Sequence, residues 1–181
     1  EETMSGNIGF GRKTSVTIIR NGDLAAECYL KVSLGAVSAA TGKVCWCRRL
    51  GHNLINSVTV SIGGSQIDKQ YSQWLDLWYE LTHTTDQERG YLAMIGDVPA
   101  LTELQTSLPA ATLYIPLQFW FNRNTGLALP LIALQYHEVR LDFEFNNWTD
   151  LMCWSGASAL SSVVPSANAP TLDASLLVNY V

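Results

Sequence analysis

His137 and Glu138 are the adjacent residues whose types come nearest to a catalytic motif in this chain. Zinc-dependent hydrolases carry a His-Glu pair on a helix with a second histidine four residues after the first, so that both imidazoles bind one metal ion. That position holds Leu141 in this chain. We therefore interpret His137 and Glu138 as residues at the edge of a strand and not as a metal site.

Two charged pairs have types suited to acid–base catalysis, Asp68 with Lys69 and Asp76 with Glu80. Asp76 and Glu80 are four residues apart, which puts both on one face of a helix, and we expect that face to be solvated. The sequence contains no nucleophile elbow, no phosphate-binding loop and no glycine-rich dinucleotide motif. It therefore predicts no catalytic residue, no cofactor and no enzymatic activity.

The four cysteines lack the CxxC spacing that is typical of a structural zinc site, and the three histidines lie far apart in the sequence. In an extended segment Cys45 and Cys47 point to the same side, which is poor geometry for a disulfide between them. We therefore expect no bound metal, and we expect free thiols at Cys28, Cys45, Cys47 and Cys153.

Five tryptophans could form a platform on which sugar rings stack, and they keep a carbohydrate-binding module open as an alternative function. They are Trp74, Trp78, Trp120, Trp148 and Trp154. Trp74 and Trp78 fall on the apolar face of a predicted helix, which favours a role in the core or in a subunit interface. Asn147 begins the only N-glycosylation sequon and is a possible glycosylation site, but a glycan there requires the secretory route.

The composition indicates either an unusually large interior or apolar surface that faces other subunits. Hydrophobic residues make up 48% of the chain and charged residues only 15%, whereas an average soluble domain has about 25% charged residues. The net charge is −5, and the basic residues are scattered apart from Arg48-Arg49. The sequence therefore predicts no direct binding of nucleic acid by this domain, and it contains no apolar run long enough to be a transmembrane segment.

The elements that must position these groups are mostly strands, because apolar and polar residues alternate along several segments. The alternation covers residues 24–34, 54–62, 113–121, 139–145 and 172–180. It predicts an all-β fold, an antiparallel jelly-roll β-sandwich, with Val58, Val60, Leu117, Phe119, Leu141 and Phe143 in its core. Arg140, Asp142 and Glu144 should then lie on the opposite face of their strand.

One segment follows a helical period instead. Tyr71, Trp74, Leu75, Trp78 and Leu81 recur as on one face of an amphipathic helix, inserted after the strand that ends at residue 62. A second, weaker helix is predicted near residues 86–95. Residues 35–42 and 155–170 are interpreted as surface loops.

Three long segments carry a family resemblance, in order and in spacing. They are SVTIIRNGDL at 15–24, VSIGGSQIDK at 60–69 followed by Trp74, and the run from LYIPLQFWFNRNTG at 113–126 on to residue 141. They resemble landmarks of the double jelly-roll major capsid proteins of nucleocytoplasmic large DNA viruses, the group that includes phycodnaviruses and iridoviruses. Metal-binding cupin enzymes share the jelly-roll shape, but the His-x-His pair that they need is missing.

The resemblance implies that residues 1–181 are a single jelly-roll domain, the N-terminal one of a longer protein with two jelly rolls. It implies a structural subunit of an icosahedral capsid that forms a homotrimer with a pseudo-hexagonal outline. Neighbouring capsomers and minor capsid proteins would be its partners, and the protein would be assembled in the host cytoplasm into the virion shell. The aromatic residues of the helix would then lie at a subunit interface: Tyr71, Trp74 and Trp78.

Overall fold

A computed structural model describes residues 1–181, and it is built mainly of antiparallel strands. The strands are β1 (Glu2–Thr3), β2 (Lys13–Ile18), β3 (Leu24–Leu34), β4 (Val37–Ser38), β5 (Lys43–Trp46), β6 (Ile55–Ile62), β7 (Ser65–Tyr71), β8 (Ser107–Leu108), β9 (Ala111–Pro116), β10 (Leu129–Pro130), β11 (Val139–Phe145), β12 (Met152–Ser155) and β13 (Leu172–Tyr180). Six short α-helices are α1 (Leu50–Leu54), α2 (Ser72–Thr82), α3 (Thr85–Met94), α4 (Pro99–Thr102), α5 (Trp120–Arg123) and α6 (Leu160–Val163). Single 3-10 turns occupy Thr125–Leu127, Trp148–Asp150 and Ser166–Asn168.

The first sheet is organised around β3, its longest strand. β13 lies along one side of β3 and β1 lies outside β13, while β9 and β10 share the other side of β3. Leu30 and Val32 of β3 are fully buried, whereas Glu27 and Ser33 on the other face are exposed. The strand is therefore core-facing on one side and wet on the other, as its alternation predicts.

The second sheet has the order β2-β11-β6-β7, with β11 paired to both β2 and β6. All four apolar residues of β11 are buried, and Arg140 is exposed beside the half-exposed Asp142 and Glu144. The predicted register of this strand is confirmed. A shift by one residue would have turned the charged set into the core.

One continuous core of 38 buried residues unites the inner faces of the two sheets. It contains every predicted core residue: Val58, Val60, Leu117, Phe119, Leu141 and Phe143. The predicted jelly-roll sandwich is thus confirmed as the fold.

The segment after β9 differs from the predicted strand. β9 ends at Pro116, which has no N–H to donate to a ladder, and the chain turns into α5. Phe119 and Phe121 are still fully buried, with their rings stacked at a centroid distance of 5.8 Å. The apolar alternation therefore predicted burial correctly, but Phe121 reaches the core from a helix.

The connection after β6 also differs from the prediction. Gly63 and Gly64, with φ of 58° and 83°, form a tight turn, and residues 65–71 return as strand β7. The amphipathic helix follows only then, as α2, and Tyr71 is the last residue of β7. The second predicted helix is present as α3.

The two predicted loops contribute more to the core than expected. Val37 in the first is fully buried and pairs with Leu108 in the small β4–β8 ribbon. The second loop contains α6, and it buries Leu160, Val163 and Val164. The description of residues 155–170 as a surface loop was therefore wrong for these apolar side chains, which belong to the core.

Candidate subunit-contact surface

Two indoles of α2 and one guanidinium form a cluster at the boundary between the core and solvent. The rings of Trp74 and Trp78, one turn apart, lie with their centroids 5.7 Å from each other, and both side chains are half-buried. Arg123 of α5 lies over them, with Cζ 4.1 Å from the centre of Trp78 and 5.6 Å from that of Trp74. These distances are those of cation–π contacts.

Tyr71 lies immediately before α2 and is half-exposed. Its ring is covered by the ammonium of Lys69, which lies 5.2 Å from the ring centre. The predicted interface set therefore extends from the residue before α2 to the middle of the helix, with Trp74 and Trp78 in contact and Tyr71 beside a different cation. Leu81 is 71% exposed, so it faces solvent and not the core.

The buried face of α2 is not the predicted one. Ser72, Leu75 and Tyr79 face the interior, whereas the predicted set was Tyr71, Trp74, Leu75, Trp78 and Leu81. Of that set only Leu75 is fully buried. The helix is turned so that its indoles lie at the boundary between core and solvent, which is where a second protein surface can reach them.

A groove of about 340 Å³ continues this surface beyond Trp78. It runs between the helices and the end of β9, and apolar and charged side chains share its walls. They include Tyr29, Trp78, Tyr91, Met94, Pro116 and Arg123. A concave surface of mixed character next to half-buried aromatic rings is typical of protein–protein contact regions.

A buried histidine holds the helices against the sandwich. The side chain of His52 in α1 is completely buried, with Nδ1 2.6 Å from Oδ1 of Asp76 in α2 and Nε2 2.8 Å from the hydroxyl of Tyr91 in α3. A neutral imidazole that donates from Nδ1 to Asp76 and accepts at Nε2 from Tyr91 satisfies all three groups. Burial raises the pKa of Tyr91 well above its ordinary value, so this hydroxyl keeps its proton.

Close packing at Gly51 explains why the neighbouring side chain of His52 is completely buried. A Cβ at position 51 would lie 2.9 Å from Cγ1 of Ile115 and 3.1 Å from the carbonyl oxygen of Ile95. The Gly51 N–H instead donates to that oxygen over 2.8 Å. The absence of a side chain therefore lets α1 touch both β9 and the end of α3.

Arg49, just before α1, completes the network on its solvent side. It has φ of 50°, lies over the ring of Tyr79 at 5.1 Å, and forms ion pairs with Asp76 at 3.8 Å and with Glu80. Asp76 and Glu80 are both accessible to solvent, as predicted, with 32% and 52% of their side chains exposed, but Asp76 also binds the buried His52, which was not predicted. Spacing within α2 could not show this, because the partner lies in another helix.

The His52 network has a chain of hydrogen bonds but no catalytic geometry. The ring of His52 is inaccessible to any substrate, and both of its nitrogens are already engaged. What the arrangement provides is rigidity: Tyr79 stacks on both Tyr91 and His83, at 4.6 and 4.4 Å. The indole surface of α2 is thus displayed on a fixed support.

The other residues singled out from the sequence lie elsewhere. His137 and Glu138 are exposed before β11, where Glu138 accepts a hydrogen bond from Thr17 at 2.6 Å. Asn147 is exposed and packs its amide against Gly11. No three potential metal-ligating side chains come together, and none of the helices has the length and apolarity that a bilayer crossing demands.

The structure also brings together two cysteines that the sequence did not connect. Cys45 of β5 and Cys153 of β12 are paired directly across the two-stranded β5–β12 ribbon. All four cysteines are free thiols in the structure. Their pairing follows from a register between strands more than a hundred residues apart in sequence, for which no local pattern exists.

Comparison with known proteins places this architecture. A family profile described as "Major capsid protein N-terminus" matches residues 1–181. The chain is 47% identical over 169 residues to a major capsid protein of Pyramimonas orientalis virus, with 91% of this chain and 41% of that protein covered. It is 41% identical over 198 residues to capsid protein 1 of Acanthamoeba polyphaga mimivirus, with 100% of this chain and 33% of that protein covered.

A solved structure agrees with the sequence relatives. The fold is similar to a chain of the quasi-atomic model of the PBCV-1 virus capsid, with a TM-score of 0.77 and 32% identity. That match covers 99% of this chain and 40% of the other. The chain therefore spans between a third and about two fifths of the length of the proteins it matches. Because the profile matches this chain along the chain's whole length, the chain belongs to the major capsid protein family and corresponds to the N-terminal part of its members.

Proposed function

We propose that this chain is the N-terminal jelly roll of a two-jelly-roll subunit that builds an icosahedral viral capsid. The observation that carries the proposal is the match of the whole chain to the N-terminal part of major capsid proteins, together with a sandwich like that of a chain in a virus capsid. The coverage of 33–41% of the curated relatives leaves room for a second domain of similar size. The function is structural and not enzymatic.

The proposed assembly unit is a homotrimer whose two jelly rolls per chain give a pseudo-hexagonal outline. Such a capsomer contacts neighbouring capsomers and minor capsid proteins in the virion shell, after assembly in the host cytoplasm. The exposed apolar side chains of this domain support the proposal, because a shell subunit covers them with neighbours. Those near the chain's proposed contact surface are Tyr71, Leu77 and Leu81, and a second group comprises Ile19, Ile132 and Tyr136.

Within that unit we assign Tyr71, Trp74 and Trp78 to a contact between subunits. The indoles are half-buried on a helix that the His52 network holds rigidly, and Arg123 keeps a positive charge beside them. Rigid aromatic side chains next to an arginine are the residue types that dominate binding energy at interfaces. Direct contact with nucleic acid is not part of the proposal, because the net charge is −5 and the basic residues are scattered.

Sedimentation of the complete protein tests the assembly proposal. We expect a trimer across micromolar concentrations, and larger edge-to-edge assemblies as the concentration rises. A protein that stayed monomeric over that range would contradict the capsomer proposal.

The alternative of a carbohydrate-binding module receives little support from the structure. Trp120 and Trp148 pack against the core and Trp154 lies in β12, so the five tryptophans do not form one platform. A glycan array with the purified protein separates the two functions, because a shell subunit should give a blank array and a lectin a defined ligand.

A further inference from the structure

The β5–β12 ribbon places two thiols opposite each other. Cys45 pairs with Cys153 in the antiparallel register, and Cys47 donates its N–H to the carbonyl oxygen of Leu151 over 2.8 Å. That bond makes Cys47 and Leu151 a hydrogen-bonded pair, and the alternation of the ladder makes Cys45 and Cys153 the next such pair. Cα atoms in such pairs are about 5.5 Å apart, within the span of about 4.4–6.8 Å that a disulfide needs.

The end of the ribbon keeps the two strands in this register. A Cβ on Gly42 would lie 2.1 Å from the carbonyl oxygen of Ser155, and a Cβ on Gly156 would lie 2.9 Å from Cα of Gly42. Both glycines have positive φ, which other residues rarely adopt. The two cysteines therefore face each other from paired strands and not from a flexible loop.

The cysteines differ in their access to solvent. Cys153 is exposed, Cys47 is half-buried and Cys45 is buried. Burial, reinforced by the neighbouring Cys153 thiol, raises the pKa of Cys45, and burial raises the pKa of Cys47 to about 11. Cys153 is consequently the thiol that a dissolved oxidant meets first.

We propose that Cys45 and Cys153 are an oxidisable dithiol that forms a cross-strand disulfide when the protein meets a low-molecular-weight disulfide such as oxidised glutathione. The Cys153 thiolate attacks one glutathione sulfur, the glutathione S–S bond breaks, and one glutathione thiolate leaves. The Cys45 thiolate then attacks the Cys153 sulfur of the mixed disulfide and displaces the second glutathione thiolate. The protein loses two electrons, and the two thiol protons go to the two glutathione thiolates.

The bond would add a covalent link between two strands that are already held in register by packing against the core. The ribbon has only two strands, and a two-stranded unit is marginal by itself. Its β12 strand leads into the segment that contributes Leu160 and Val163 to the core. A disulfide between β5 and β12 would restrain the start of that segment.

Peptide mapping of the full-length protein tests the proposal. The reduced protein is equilibrated with mixtures of reduced and oxidised glutathione, quenched by alkylation, and cleaved with trypsin and chymotrypsin. Chymotrypsin cuts after Trp46, so Cys45 and Cys47 fall on different peptides. We expect the free thiols of residues 1–181 to fall from four to two, with a linked Cys45–Cys153 peptide about 2 Da lighter than its reduced parts.

Single variants identify the pair. Cys45→Ser and Cys153→Ser should each abolish the linked peptide, whereas Cys47→Ser and the core control Cys28→Ser should keep it. Oxidation should also raise the melting temperature of the wild type and leave that of Cys153→Ser unchanged. Because Cys153 is exposed, this variant should fold even if Cys45→Ser does not. The proposal is overturned if Cys45 and Cys153 stay alkylatable at every glutathione ratio, or if Cys153 links to Cys47 in the wild type.

Discussion

The guanidinium of Arg123 lies 4.1 Å from the centre of the Trp78 ring, and this contact joins α5 to α2. Arg123 belongs to the segment at residues 113–126 that carries most of the family resemblance. The segment at residues 113–126 therefore contributes to the proposed contact surface as well as to the core. Its buried rings, Phe119 and Phe121, anchor a short helix whose last residue helps to build the proposed contact surface.

Trp78→Ala should weaken assembly of the full-length protein more than it weakens folding. The substitution removes a half-buried indole and its cation–π contact, which contributes about 0.5–1 kcal/mol at exposed sites, while interface aromatics often contribute 2 kcal/mol or more to association. Sedimentation velocity should show more monomer at equal concentration. Trp154→Ala, which removes an exposed indole outside this surface, is the matched control, and an equal loss of assembly in both variants would argue against the assigned contact.

Phe143→Ala should lower the free energy of unfolding by roughly 3–5 kcal/mol, because the ring is fully buried in the second sheet. Urea unfolding monitored by tryptophan fluorescence measures the change. The neighbour on the opposite face provides the control: Asp142→Ala loses one surface ion pair with Arg140 and should cost no more than about 1 kcal/mol. A loss below about 1 kcal/mol for Phe143→Ala would contradict the core assignment.

Tyr91→Phe should destabilise the protein by about 1–3 kcal/mol, because it leaves Nε2 of the buried His52 without its hydrogen-bond partner. The change removes a single oxygen and keeps the ring that stacks on Tyr79. Glu80→Gln serves as the comparison, since it weakens only the solvent-side ion pair with Arg49 and should cost about 0–1 kcal/mol. Thermal and urea unfolding of the two variants should therefore rank Tyr91→Phe as clearly the less stable.

Stability should fall as the pH rises above about 9. Burial raises the pKa of the Cys28 thiol to about 12 from an ordinary value of 9.0, so the unfolded chain releases this proton at a lower pH than the folded one. The folded state then binds more protons than the unfolded state between these values, and each such group lowers the free energy of unfolding by up to about 1.4 kcal/mol per pH unit. Urea unfolding between pH 8 and 10.5, under reducing conditions, measures the slope.

The variant Cys28→Ala removes this titrating group, so its stability should depend less steeply on pH over the same range. A residual slope remains, because burial also raises the pKa of the Cys45 and Cys47 thiols and that of the half-buried Tyr91 and Tyr180 hydroxyls. A wild-type protein whose stability stayed constant up to pH 10.5 would show that the Cys28 thiol is not held protonated by the fold.

The sequence predicted those parts of the fold that are specified by local alternation. In β11 every second residue is apolar, and each is buried. The alternation also predicted the buried residues of β3 from Ala26 to Leu34 and those of β13 from Leu172 to Leu176, whereas Val178 and Tyr180 are only partly buried. Strand β7 was missed because it lies at the edge of its sheet and is polar on both faces, with Gln70 as its only buried residue. Hydrophobic periodicity carries no signal for such a strand.

The candidate site was predicted only in part, because its essential contacts are made between elements. The aromatic residues of α2 were recognised, yet which of them face the interior depends on how α1 and α3 pack, and that is decided by Gly51 and by the bonds of His52. The opposition of Cys45 and Cys153 depends likewise on strand register. Residue types and spacing within one segment do not determine either arrangement.

The strand pairing imposes an order on how this domain can fold. β3 cannot pair with β13, nor β2 with β11, until the later strand of each pair has been synthesised. Glu1 likewise contacts Ser175, 174 residues further along the chain. During synthesis β2 and β3 therefore leave the ribosome long before their partners, with exposed apolar faces, whereas β6 and β7 can already pair with each other. Closing such distant pairs is slow, and partly formed sheets of this kind aggregate at high concentration. A protein with this topology that is made in large amounts should therefore depend on chaperones until its last strand, which ends at residue 180, has left the ribosome.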